Sequence, residues 1–263
     1  MRWSIVLVGP LALCTACSTL GPVPVATAIS PVPRQRFDAE VQLGFVPGFY
    51  LSGATAEIPR GSAIAQASAV IEPGFVDGLL VGGRVFGPGH DGQSDPLVGY
   101  RTTFGETRHL AVAIVGFGAY MEGTQKRATY KATRLGGELS GDLRLGAPRH
   151  WFEPHLEASL SVTGVSASGD YCTNDKGYGA DCPDEPEPVI QQHASNFGVY
   201  PAATAGASLF FGHHNESWIH GMRAMIALGA GLMPRLGALA TDKGVQPYAS
   251  FGFALSMSFG APR

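Results

Sequence analysis

Residues Phe152-Glu153-Pro154-His155-Leu156-Glu157-Ala158-Ser159-Leu160-Ser161-Val162-Thr163 read as a two-faced segment. Glu153, His155, Glu157, Ser159, Ser161 and Thr163 fall at one parity. Phe152, Leu156, Ala158, Leu160 and Val162 fall at the other. An extended chain sends successive side chains to opposite faces, so this alternation predicts a β-strand with one polar and one apolar face.

The pattern recurs in both directions along the chain. In 128–145, Leu135, Leu139, Leu143 and Leu145 oppose Arg134, Glu138, Asp142 and Arg144. In 194–211, Phe197, Val199, Leu209 and Phe211 oppose Asn196, Tyr200, Thr204 and Ser208. In 245–259, Phe251, Phe253, Leu255, Met257 and Phe259 oppose Tyr248, Ser250, Ser256 and Ser258. Residues 38–52, 74–87, 96–104 and 218–232 repeat it, with Glu40, Arg84, Arg101 and Arg223 on their polar faces. Residues 107–120 are apolar at both parities, and the alanines of 61–71 suit either a strand or a short helix.

The connections decide between those two. Short turns at 72–73, 105–106, 147–150 and 213–216 alternate with longer polar loops at 53–60, 88–95, 121–127, 169–193 and 233–244 only if 61–71 is a strand. Long strands, apolar on one face, with short turns at one end and long loops at the other, predict a single antiparallel up-and-down β-barrel that spans a membrane. Parity favours ten strands, with eight as the fallback. Aromatic residues gather at both ends, Phe37, Phe104, Trp151 and Trp218 near the short turns and Phe49, Tyr120 and Tyr130 near the long loops, as interfacial girdles do.

Composition agrees. Charged residues are 15% of the chain, against about 25% in ordinary soluble proteins. A net charge of −3 gives no basis for nucleic-acid binding. After the first 17 residues no apolar run is long enough for a transmembrane helix.

Residues 1–16 read as an export signal, with Arg2 ahead of an apolar stretch and Ala16 as the small residue before a cut. Leu13-Cys14-Thr15-Ala16-Cys17 resembles a bacterial lipobox, which implies cleavage before Cys17 and acylation of its sulfur. Residues 17–36 hold many prolines and form a tether, and the folded domain is expected over 37–263. With Cys17 and Cys14 set aside, Cys172 and Cys182 remain, an even pair in an exported chain that suggests one disulfide.

The polar faces converge on the barrel interior. Asp38, Glu40, Glu138, Asp142, Glu153 and Glu157 are set there against Arg84, Arg101, Arg134, Arg144 and Arg223, with His155 among them. A barrel of eight to ten strands has room inside for little more than its own side chains, so a paired network that plugs the lumen is expected. A narrow pore constricted by the same residues is the sharper reading. His90, Asp91, Asp170 and His193 in the long loops could serve a hydrolase, but their spacing imposes no base–nucleophile geometry. His213, His214 and His220 read as interfacial polar residues before they read as metal ligands, and no cofactor is expected.

Over 37–259 the architecture resembles small bacterial outer-membrane β-barrels of the OmpA, OmpW and opacity-protein kind. The likeness lies in strand pattern and loop asymmetry and carries over no functional residue. It implies the outer membrane of a Gram-negative bacterium, lipid as the main partner, small solutes as the only others, and no enzymatic activity. The alternation also suits an inside-out rival, a soluble periplasmic lipocalin-like lipoprotein with the apolar face turned inward on a small apolar ligand. An outer-membrane hydrolase is the third reading.

Overall fold

A computed structural model of the chain describes residues 39–50, 63–73, 75–87, 94–105, 109–125, 128–146, 152–174, 177–179, 190–212, 219–234 and 245–259. All its regular structure is β: β1 Ala39–Tyr50, β2 Ala63–Ile71, β3 Leu79–Gly87, β4 Ser94–Phe104, β5 Leu110–Gln125, β6 Ala128–Arg144, β7 Phe152–Asn174, β8 Gly177–Gly179, β9 Ile190–Phe211, β10 Ile219–Pro234 and β11 Val245–Phe259. Each strand pairs antiparallel with its neighbour in the chain, except that β9 follows β7 directly and β8 is a three-residue flap on β7. The β1–β11 and β6–β7 pairings close the sheet, so ten strands form an up-and-down barrel. Residues 61–71, ambiguous in sequence, supply the strand β2, paired on both edges.

Parity sets the two surfaces. Along β11, Phe251, Phe253, Leu255 and Met257 are exposed while Gly252, Ala254, Ser256 and Ser258 are buried. Elsewhere Leu228 is 66% exposed and Leu135 65%, whereas the guanidinium side chains of Arg134 and Arg223 are 2% exposed. Burying apolar surface is worth roughly 25 cal/mol per Å², so an apolar wall over the whole exterior is disfavoured in water and stable in hydrocarbon. The lipocalin-like arrangement would need these faces exchanged. Among the described residues no helix is long and apolar enough to cross a membrane.

Three details depart from the sequence reading. The 121–127 stretch is not a loop: β5 and β6 pair as far as Gln125↔Ala128, leaving two residues between them. Glu122, Thr124 and Gln125 are polar because the ladder outlasts the apolar belt, and main-chain pairing does not depend on side-chain polarity. For the same reason much of 169–193 is strand, with β7 and β9 paired out to Thr173↔Ile190. In the other direction, the 72–73 turn is longer than expected, since β2 ends at Ile71 and β3 begins only at Leu79. Cys182, the Cys17 segment and residues 1–38 lie outside the described residues.

Candidate functional site

The inward positions of the ten strands form the site. Arg84, Arg101, Arg134, Glu138, Asp142, Glu153, His155, Glu157 and Arg223 are buried there, and Arg144 is half-buried. Glu40 pairs in register with Val70 and Ser258, both buried, but its own side chain lies outside the described ones, as does Asp38. Two acids not expected inside join them: Asp95, placed in a loop by its Gly-, Ser- and Asp-rich surroundings, and Glu72, placed in a turn. Both sit at strand ends, where alternation runs out as a signal.

Near the loop end, Arg84 Nη1 donates to Glu138 Oε2 at 3.1 Å, and Arg134 pairs with Asp95. Arg84 on β3 and Glu138 on β6 are separated by two intervening strands, so the bond runs across the lumen. Both guanidinium groups sit on Phe117, with Cζ 4.9 Å from the ring centroid for Arg84 and 5.6 Å for Arg134. Such stacking adds a quadrupole attraction to the ion pairs. The ring needs room. A Cβ at Gly136 would lie 2.4 Å from Phe117 Cζ and 2.7 Å from the Val162 carbonyl oxygen, so glycine there is what admits the phenyl group. The doubly apolar 107–120 segment hid Phe117 from the sequence reading.

Toward the end that carries the chain termini lies a second cluster. Arg223 Nη1 donates to Asp142 Oδ2 at 3.0 Å and to Glu157 Oε1 at 2.8 Å. His155 Nδ1 is bonded to Asp142, and Ser208 Oγ donates to Glu157. Arg144 Nη1 lies 3.8 Å from Glu153 Oε1, and His155 Nε2 lies 3.6 Å from Glu153 Oε2. At the rim of the same end, Glu72 pairs with Arg101 and accepts the Gly78 N–H at 3.0 Å. Removing charges from water is costly unless each finds opposite charge and hydrogen bonds, and each of these pairs supplies an opposite charge.

Apolar side chains fill the β2–β5 side of the interior, while on β6 the buried Ser140 stands between Glu138 and Asp142. Val70, Leu80, Leu97, Ala113, Val115 and Phe117 pack together inside the barrel. On β4, Leu97 stands between Asp95 and Arg101. Leu80 shares the parity of Arg84 and is buried with it, whereas Leu79 shares that of the exposed Val81 and Val85.

Chemically, the arrangement binds charges to one another. The best hydrolytic geometry inside, His155 with Asp142, has its cross-strand neighbour Ser208 engaged with Glu157. Among the described residues no group of three or more His, Cys, Asp or Glu could hold a metal ion. His90, Asp91, His213 and His214 lie outside the described residues. His193 pairs with Asp170 through the backbone.

These features define a closed ten-stranded β-barrel, apolar outside and charged within. No protein-family model matches the chain, and no curated protein does. Among the solved structures that match are small outer-membrane β-barrels. Neisserial surface protein A shares 10% identity and a TM-score of 0.34, covering 86% of this chain and 97% of its own. The attachment invasion locus protein Ail of Yersinia pestis shares 12% with a TM-score of 0.31, covering 86% of this chain and 100% of its own. The N-terminal barrel domain of Pseudomonas aeruginosa OprF shares 9% with a TM-score of 0.29, covering 85% and 98%. The fold assignment rests on the strand pairing of this chain itself.

Proposed function

We propose that the chain is a non-enzymatic outer-membrane β-barrel of a Gram-negative bacterium, with a structural role and a lumen plugged by its own side chains. The observation that carries this reading is the buried pairing of Arg84 with Glu138 across the lumen and of Arg134 with Asp95 along its wall, both around Phe117. The apolar exterior supports lipid as the principal partner. Engagement of Asp142, His155, Glu157 and Ser208 with one another supports a packing role over a catalytic one. In this reading the end with the chain termini faces the periplasm. Residues 1–16 are a cleaved signal, Cys17 carries a lipid, and residues 17–36 tether the barrel. Cys172 and Cys182 close the long excursion after β7 with a disulfide.

Two measurements test it together. On a denaturing gel of the outer-membrane fraction, the unheated protein should migrate differently from the boiled one, because a closed membrane barrel resists detergent until heated. In a planar bilayer the folded protein should give no steady conductance. A steady ion-selective current would replace the plug with a narrow pore, while extraction without detergent and no heat shift would remove the membrane reading altogether.

A further inference from the structure

We infer that the turn between β2 and β3 is a lipid-binding element that seats Phe75 and Val76 at the acyl–headgroup boundary of the leaflet nearest the chain termini. It rests on the membrane reading above but adds a site which that reading does not require.

The turn places its apolar residues where a water-facing turn would not. Phe75 is 76% exposed and Val76 49%, adjacent to each other and beyond the last residue of β2. Both are held in place. Glu72 turns back to accept the Gly78 N–H at 3.0 Å and pairs with Arg101, while the Arg101 N–H donates to the Gly78 carbonyl at 2.7 Å. The Leu79 N–H donates to the Val76 carbonyl at 3.2 Å. Gly78 itself has φ +80°, and a Cβ there would lie 2.2 Å from the Arg101 carbonyl oxygen and 3.0 Å from the Tyr100 ring. A side chain at this position is excluded both by the backbone and by space.

Tyr100 decides which surface the turn joins. Its ring belongs to the outer face, and the turn is pressed against it. Ile71 on β2 and Tyr100 and Phe104 on β4 are exposed beside the turn, so Phe75 and Val76 extend the apolar outer surface. Wall height points the same way. β2 and β3 have 9 residues each, against 23 in β7. Nine residues span about 30 Å at roughly 3.3 Å each. Tilted by about 40°, they cover about 23 Å along the membrane normal, no more than the apolar band of about 25 Å. A turn that ends so short a wall falls in the interfacial zone, where aromatic side chains are favoured. The following residue, Asp77, is also exposed.

The test uses the full chain folded into phosphatidylcholine vesicles, with Phe75→Trp as the sole tryptophan in a Trp3→Phe, Trp151→Phe, Trp218→Phe background. Vesicles carry bromine either near the headgroup end or near the tail end of the acyl chain. The expected result is blue-shifted emission that loses intensity mainly to the bromine nearer the headgroup. Emission typical of indole in water, unquenched by either lipid, would overturn the inference and leave the two residues for a partner outside the bilayer. Val76→Trp in the same background supplies a second reading if the first variant does not fold. The heat shift of each sample on a gel separates the two levels. An intact shift with no quenching overturns this inference alone, and a lost shift in the parent chain overturns the barrel reading with it.

Discussion

At the scale of single residues, the lumen is governed by what happens when one member of a buried pair is removed. Arg134 is buried and bonded to Asp95 while stacked on Phe117. Arg134→Met strands the Asp95 carboxylate, and losing one partner of a buried pair costs about 3–5 kcal/mol. The double variant Arg134→Met/Asp95→Leu removes both charges and should recover most of that loss. Urea unfolding of the protein in lipid vesicles checks both values. A single variant within about 1 kcal/mol of wild type, on the order of a surface pair, would show that the pair is solvated. Gly136 makes the complementary point about space. Gly136→Ala drives a methyl group against Phe117 and the Val162 carbonyl, and overpacking of this kind costs about 1–3 kcal/mol. Phe117→Leu in that background should relieve the part due to the ring and leave the part due to the backbone. The inward parity of Arg134, Glu138 and Glu157 is legible in the sequence because each lies mid-strand, opposite in parity to a run of leucines. Asp95 and Glu72 are not, because each sits where a strand begins or ends and looks like loop or turn.

At the scale of elements, pairing ends where the backbone loses a donor, not where side chains turn polar. The β9–β10 ladder stops at Ala202↔Gly231, and the next residue of β9 is Pro201. The β7–β9 ladder runs on past the same proline to Thr173↔Ile190. Proline has no N–H, so the edge it cannot serve is the one facing β10. Pro201→Ala restores the donor and should lengthen the β9–β10 ladder. The amide that this substitution introduces should then resist hydrogen exchange. If it exchanges as freely as an open edge, strand tilt, and not the missing donor, ends the ladder. The hairpin between β5 and β6 follows the same logic. Its polar tip reads as a loop by composition, yet it pairs to within two residues of the bend.

At the scale of the whole molecule, two charge clusters share one barrel with an apolar layer of Val70, Leu80, Leu97, Val115 and Phe117 on its β2–β5 side. Distant, unshared sites add in their effects to within about 0.5 kcal/mol, whereas members of one network couple by about 0.5–3 kcal/mol. A double-mutant cycle between Arg134 and Arg223 should therefore be additive, and one between Asp142 and Arg223, bonded at 3.0 Å, should not. Strong coupling in the first cycle would show that the two clusters form one network. By itself the sequence determined the class of most elements and the two faces of the long strands other than β5, because a period of two is a local property that each segment carries alone, and the alternation of short and long connections gave the count of ten. It also determined that acids and arginines would share one face. Only the tertiary structure decided that the apolar face points outward, since alternation is the same for a barrel and its inside-out counterpart. It alone also decided which acid meets which arginine, because Arg84 and Glu138 lie 54 residues apart and meet only when the sheet closes. The apolar layer is tertiary for the same reason: it is assembled from inward positions on β2, β3, β4 and β5 that no single segment marks as interior.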